Sequence, residues 1–353
     1  MSLRPSRALP TRNDPHPGAS RPRTRRPRRR IGWLATAVLA IAAAPLVPQA
    51  SHAQQWPVRP IRFVVPYPPG GNVDTAARIV APGIQQALGQ PVVVENRAGA
   101  GGMIAGEYVA RSDADGYTFF FTANGPLLFS PLTFRKNPYQ WDKDFEPVSS
   151  VSFTPLVLQV NAKLPVRTFD QLLRLVEREP DKVTMASPGA GTTNHLVSEL
   201  LQARTGAKWT TVHYKGNAPA TQDLLGGQVQ FNFDQVSVAL PYIQEGRLRP
   251  LAVTSPKRIA SLPDVPTMIE LGIADFSAQT FTGVVAPKGT PAAVRDRLYA
   301  VMSKVVADKD VVARFAKLGA QTEALKPDAF AAYLRKEYDT WAPVIRKINI
   351  QAN

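Results

Sequence analysis

A short apolar run, Ile61-Arg62-Phe63-Val64-Val65, passes into Pro66-Tyr67-Pro68-Pro69-Gly70-Gly71-Asn72-Val73-Asp74 and then into the helical pattern Thr75-Ala76-Ala77-Arg78-Ile79-Val80. Strand, glycine turn and helix in that order open a βα unit, and this stretch restricts the chain more than any other. Pro68-Pro69 stiffens the approach, while Gly70-Gly71 lets backbone come close to another molecule with no Cβ in the way. The first amides of the following helix lack intrahelical partners and carry the positive end of its dipole, so a carboxylate or phosphate fits there. Taken alone, the same residues also describe an ordinary βα turn capped by Asn72 or Asp74.

A second stretch repeats the arrangement. Val183-Thr184-Met185-Ala186 reads as a strand, Ser187-Pro188-Gly189-Ala190-Gly191 as a turn, and Thr192 to Leu201 as a helix whose N-cap hydroxyl comes from Thr192 or Thr193. The two turns lie more than a hundred residues apart. Together they point to an anionic ligand held between two helix N-termini.

Between and beyond these turns, apolar strands alternate with helical segments. Pro91 to Val94 and Tyr117 to Thr122 read as strands, with a helix from about Gly102 to Ala110 between them, and Pro82-Gly83 is expected to kink the first helix or end it early. The alternation implies an α/β fold with a largely parallel sheet. Asp144 to Val160 is a long extended connection, after which the pattern restarts with a capping box at Thr168-Phe169-Asp170-Gln171. A helix from Pro219 to Leu225 closed by Gly226-Gly227, and strands at Val229 to Asp234 and Pro250 to Thr254, follow. Phe281 to Pro287 is a second extended crossing, and Thr290-Pro291 then supplies an N-cap and N1 proline for the next helix. About 300 residues with two crossings suit two lobes: a first built from 54–158 plus 284–353, and a second, inserted lobe from 159–283, with a cleft between.

The N-terminus biases the composition. Residues 1–30 hold ten arginines and a single acid, Asp14; Ile31 to Val47 is apolar, and Ser51-His52-Ala53 fits a small-x-small cleavage site. This is read as a signal peptide, 1–53, cleaved after Ala53, which would make the protein periplasmic; a membrane anchor is the alternative, against which the apolar run is short and ends in prolines. Arg29-Arg30 partly matches a twin-arginine signal, but no Ser or Thr directly precedes it, so the general secretory route is preferred. Without the leader, 42 basic and 27 acidic residues become 32 and 26, a net +6 that argues against a nucleic-acid surface.

The absence of cysteine excludes disulfides, thiolate metal sites and a cysteine nucleophile. His195 and His213 are the two histidines outside the leader, too few for a histidine-rich metal site, and neither a nucleophile elbow nor a P-loop occurs. No cofactor is expected. An exported hydrolase remains as an alternative, with no paired nucleophile and base to support it.

Four motifs then match in order and spacing: Tyr67-Pro68-Pro69-Gly70-Gly71-x-x-Asp74-x-x-Ala77-Arg78, Val94-Glu95-Asn96-Arg97-x-Gly99-Ala100-Gly101-Gly102, Ser187-Pro188-Gly189-x-Gly191-x-x-x-His195-Leu196, and Tyr214-Lys215-Gly216-x-x-Pro219-Ala220-x-x-Asp223-Leu224-Leu225-Gly226-Gly227. They closely resemble the substrate-binding proteins of tripartite tricarboxylate transporters, the Bug receptors, along essentially the whole chain after the leader. The resemblance implies a two-lobed periplasmic binding protein, a Venus flytrap of type II-like form with mostly parallel sheets and helices on both faces. It also implies a monomer that captures a small carboxylate, a dicarboxylate in the favoured case, and delivers it to membrane transporter subunits. A ligand sensor docking on a signalling partner is the alternative within the same family.

Residue by residue, the resemblance places Tyr67, Pro69, Gly70, Gly71 and Asp74 at one end of the ligand and Gly191, Thr192, Thr193 and His195 at the other. Asn124 matches a loop position facing the cleft, although Gly125-Pro126-Leu127-Leu128 departs from the family there, and Asp234 matches a position that can meet an amino or hydroxyl group. Asp74 has two readings: it caps and positions the glycine turn, or it selects ligands by charge. Glu95-Asn96-Arg97 is expected to brace the first turn without touching ligand.

Overall fold

The computed structural model describes residues 56–180 and 182–348. The proposed leader and its cleavage site lie outside these residues. Among the described residues no helix is long and apolar enough to cross a membrane.

The first series of elements is β1 (Ile61–Val65), α1 (Asn72–Leu88), β2 (Val92–Asn96), α2 (Met103–Ala110), β3 (Thr118–Ala123), a π-type turn at Gly125–Phe129, α3 (Ser130–Thr133), α4 (Trp141–Asp144) and β4 (Phe145–Asn161). The second is α5 (Phe169–Arg178), β5 (Thr184–Ser187), α6 (Thr193–Thr205), β6 (Thr210–His213), α7 (Asn217–Gly226), β7 (Phe231–Gln235), α8 (Val236–Gln244) and β8 (Leu248–Val253). The chain returns through β9 (Gln279–Pro287), α9 (Ala292–Val306), α10 (Lys309–Lys317), β10 (Gln321–Thr322) and α11 (Pro327–Ile348).

The strands form one mixed sheet in the order β2-β1-β3-β9-β4-β7-β5-β6, with β8 and β10 also pairing β4. Pairing is parallel within β2-β1-β3 and within β7-β5-β6, as expected of βα units. Every antiparallel pair involves β4 or β9, the two crossing strands. β4 pairs β9 from Phe145 to Pro155 and changes partners at Leu156, where β7 and β8 take over. A 17-residue strand shared in this way makes two lobes from one sheet, with helices on both faces.

Alternation in the first lobe fills both faces. Ile61, Phe63 and Val65 of β1 and Phe119 and Phe121 of β3 pack toward α1 and α9, while Val64 and Phe120 pack toward α2 and α11. All three phenylalanines of β3 are fully buried, each stabilising by about 1.5–3 kcal/mol.

Local signals set most boundaries. The Thr168 hydroxyl accepts from the Gln171 amide and opens α5, and Gly227, at φ 76°, closes α7. Two expectations fail. Helix α1 does not end early at Pro82-Gly83 but runs on to Leu88, because Pro82 removes one backbone hydrogen bond while Ile79, Val80, Ala81 and Ile84 keep their buried face. Thr290 does not cap α9: its hydroxyl donates to the Pro287 carbonyl, and the helix starts behind Pro291 with no side-chain cap.

Candidate functional site

Helices α1, α6, α7 and α8 each leave the carboxyl end of a parallel strand, namely β1, β5, β6 and β7, and their N-termini meet at one cleft. Asn72 and Val73 come from α1, Thr193 and Asn194 from α6, Asn217 from α7, and Gln235 stands at the start of α8. No side chain caps α1, α7 or α8. Their first amides and dipoles therefore remain to serve an anion. Tyr67, Thr192 and Thr280 complete the polar lining, and no lining residue carries a charge. The cleft is closed, with a volume of about 10 Å³, room for roughly one water centre.

The first glycine turn is held from behind. Asp74 accepts from the Gly70 amide at 2.9 Å, from Arg78 Nε at 3.0 Å and from Asn96 Nδ2 at 2.8 Å. Asn96 also donates to the Tyr67 carbonyl, and the Arg97 amide donates to Val65. Burial pushes the Asp74 carboxyl up, but the donors Arg78, Gly70 and Asn96 together outweigh it and hold it below the usual carboxylate range. Asp74 is thus turned to its own loop, which is the bracing geometry, and Glu95-Asn96-Arg97 supports that loop from its strand. Pro69 and Gly70 are exposed, while Gly71 is buried against Asn217.

The second turn is organised by His195. Its Nδ1 accepts from the Gly191 amide at 3.2 Å, and its own amide donates to the Thr192 hydroxyl, the N-cap of α6. Burial and the neighbouring His213 ring, 4.6 Å away centroid to centroid, push His195 down to about 3, so it stays neutral. Gly191 sits at φ 72° with the Ser130 backbone against it: a Cβ there would stand 2.7 Å from Ser130 Cα.

The floor is a chain of carboxamides. Asn217 Nδ2 donates to Asp234 and to Gln235 Oε1, and Gln235 Nε2 donates to Asn194 Oδ1 and to Thr280 on β9. Asp234 is 1 % exposed and also accepts from Thr221 and the Gln235 amide. Burial pushes its carboxyl up to about 7 against those donors. Asn124 is equally enclosed; its Oδ1 accepts from the Phe281 amide and its Nδ2 donates to Glu337 of α11, whose carboxyl burial pushes up to about 7. Its neighbour Gly125 lines the cleft.

Of the residues anticipated from sequence, Tyr67, Thr192 and Thr193 therefore line the cleft, and Gly71 and Gly191 form its closing edges. Asp74, Asn124, His195 and Asp234 stand one layer behind, turned to protein partners, and Pro69 and Gly70 face outward. Asn72, Asn194, Asn217, Gln235 and Thr280 escaped the sequence reading. Asn72, Asn194 and Asn217 occupy variable positions within the quoted motifs, and Gln235 directly follows Asp234, so motif position could have found these four.

The family described as "Tripartite tricarboxylate transporter family receptor" matches residues 76–350. The periplasmic binding protein BugD superimposes with a TM-score of 0.81 at 35% identity, covering 84% of this chain and 100% of its own. The R. palustris protein Rpa4515, solved with adipate, gives 0.81 at 32% identity, covering 84% of this chain and 99% of its own. MatC from Rhodopseudomonas palustris, solved with malate, gives 0.79 at 32% identity over 82% and 99%. These relatives are binding proteins of the periplasmic two-lobed fold, two of them holding carboxylates. The chain belongs to the tripartite tricarboxylate transporter receptor family.

Proposed function

We propose that this chain is an extracytoplasmic receptor that captures a small dicarboxylate between its lobes and delivers it to a tripartite tricarboxylate-type membrane transporter. The observation that carries the reading is the convergence of four helix N-termini, three of them without a side-chain cap, on a cleft with no charged side chain in its lining. Such a site balances carboxylate charge with amides and dipoles, and two lobes supply the two ends of a ligand with two charged ends. The adipate and malate held by the relatives support the class.

In this reading the protein works as a monomer in the periplasm, its leader removed after Ala53. Residues 54–158 plus 284–353 move against 159–283 about the crossing strands. Tyr67, the main chain of Gly71, and Gly191, Thr192 and Thr193 contact ligand; Pro69, Gly70, Asp74, Asn124, His195 and Asp234 hold those contacts in place. Because the closed cleft has about 10 Å³ of space, ligand entry needs the lobes to open first.

A panel of three- to six-carbon mono-, di- and tricarboxylates, amino acids and aromatic acids tests this by thermal shift. At a hundredfold excess over Kd, linkage gives about 2.7 kcal/mol, or roughly 3–8 °C. One or a few dicarboxylates should reach that range, and small-angle scattering with the best of them should give a smaller radius of gyration than without. Stabilisation by amino acids alone would overturn the ligand class, and stabilisation with unchanged scattering would overturn capture by closure.

A further inference from the structure

Asn72 is the first residue of α1, 4 % exposed, and it lines the cleft. Its Oδ1 accepts from the Ser237 hydroxyl at 2.6 Å. Ser237 lies in the first turn of α8, so this hydrogen bond joins the first lobe to the second across the cleft. The Asn72 Nδ2 is buried and has no hydrogen-bond partner. Native structures rarely leave a buried amide donor unmade, because its lost hydration is not returned. Exchanging the amide's O and N leaves the same count, one polar atom on Ser237 and the other alone.

The other carboxamides of the lining are committed. Asn217 Nδ2 is shared between Asp234 and Gln235, Asn194 Nδ2 donates to the Phe233 carbonyl, and Gln235 Nε2 donates to Asn194 and Thr280. Among the described lining residues, no other side-chain nitrogen or oxygen is buried without a partner. The free donor also stands at the uncapped N-terminus of α1, where the dipole favours negative charge.

We propose that Asn72 is the specificity-determining residue of the cleft: Nδ2 donates to a carboxylate oxygen of the ligand while Oδ1 stays on Ser237. This assignment rests on the carboxylate-receptor reading above. One carboxamide then senses ligand and closure together, since Ser237 orients it when the lobes meet and the ligand satisfies its other end. A ligand presenting an ammonium group at this end would face a donor and the positive end of α1, and it is rejected. The cleft therefore takes dicarboxylates without an amine near the α1 end, and refuses amino acids in any pose that sets their ammonium there.

Calorimetry with adipate, malate and glutamate on the mature protein, Asn72→Asp, Asn72→Ser and Ser237→Ala tests the assignment. Asn72→Asp keeps the acceptor for Ser237 and nearly the same shape but replaces the donor by a negative oxygen. It should weaken the best dicarboxylate about 100-fold or more, and Asn72→Ser roughly 10- to 100-fold, while both variants melt within a few degrees of the parent. Ser237→Ala should weaken binding less, roughly 3- to 10-fold, chiefly through faster dissociation. Dicarboxylate affinity in Asn72→Asp and Asn72→Ser within about threefold of the parent would overturn the assignment and leave the receptor reading standing. Glutamate binding strengthened by Asn72→Asp would show the amide turned the other way, which also overturns it. If the parent binds no three- to six-carbon dicarboxylate, the receptor reading falls and the assignment falls with it.

Discussion

Replacing Gly191 by alanine separates the cost of folding from the cost of closing. The residue sits at φ 72°, where an L side chain costs about 1–2 kcal/mol. Gly206, at the far end of the same helix, sits at φ 75°, and nothing lies within 4 Å of its would-be Cβ. Gly191→Ala and Gly206→Ala should therefore lose similar stability, about 1–2 kcal/mol each, read as a drop of a few degrees in Tm. Only at Gly191 does the new methyl meet the opposing lobe, 2.7 Å from Ser130 Cα and 2.9 Å from its Oγ. Backbone on the far side cannot swing away as a side-chain end would, so the lobes stay apart and the α6 turn no longer reaches the ligand. Losing two charge-assisted hydrogen bonds from that turn costs about 3–6 kcal/mol, or roughly 10²- to 10⁴-fold in Kd. Calorimetry with the best dicarboxylate reads the difference, with Gly206→Ala as the matched control. Kd values within threefold of each other in the two variants would refute the closing role of Gly191.

Asp74→Ala should remove the acceptor of the Gly70 amide and of Arg78 Nε and one of the two acceptors of Asn96 Nδ2, costing about 1–3 kcal/mol in urea unfolding; an unchanged midpoint would show that the brace is idle. His195 has a folded pKa of about 3 against an ordinary 6.5, so below pH 6.5 the unfolded chain binds the extra proton. Its contribution is complete above about pH 6.5 and is lost progressively toward pH 3. The Tm advantage of the parent over His195→Gln should accordingly be largest at pH 7 and shrink by pH 4.5, whereas a constant gap would contradict the buried, neutral assignment.

The fold was legible where the chain states it twice. Two strand–glycine–helix passages and two long extended crossings required βα units joined by shared strands, and β4 and β9 are those crossings. The sheet is more mixed than alternation alone suggests, because a strand that leaves one lobe for the other enters its new neighbours antiparallel. Pro82 misled because local propensity at one residue is outweighed by the buried face that runs from Asn72 to Ile84 of the same helix. In the site, main-chain geometry was readable from glycine, but the carboxamide floor was not. Asn217, Gln235 and Asn194 gain their roles only from partners 17 to 41 residues away. His195 and Asp234 were visible as residue types; that they face inward, to Gly191 and Asn217, is a fact of packing.

The neutral lining of the cleft has a consequence for the surroundings in which such a receptor works. A compartment continuous with the outside takes on the acidity of its medium. A site that gripped its cargo with histidine or with a second carboxylate would change its own charge as that medium changed. Here the grip comes from peptide dipoles and carboxamides, which bear no exchangeable charge, and the one ionisable lining group is the Tyr67 phenol, pushed up by burial and so protonated throughout. Sensitivity to the medium would then enter from one layer behind, where the buried carboxyls of Asp234 and Glu337, pushed up to about 7, hold Asn217 and Asn124.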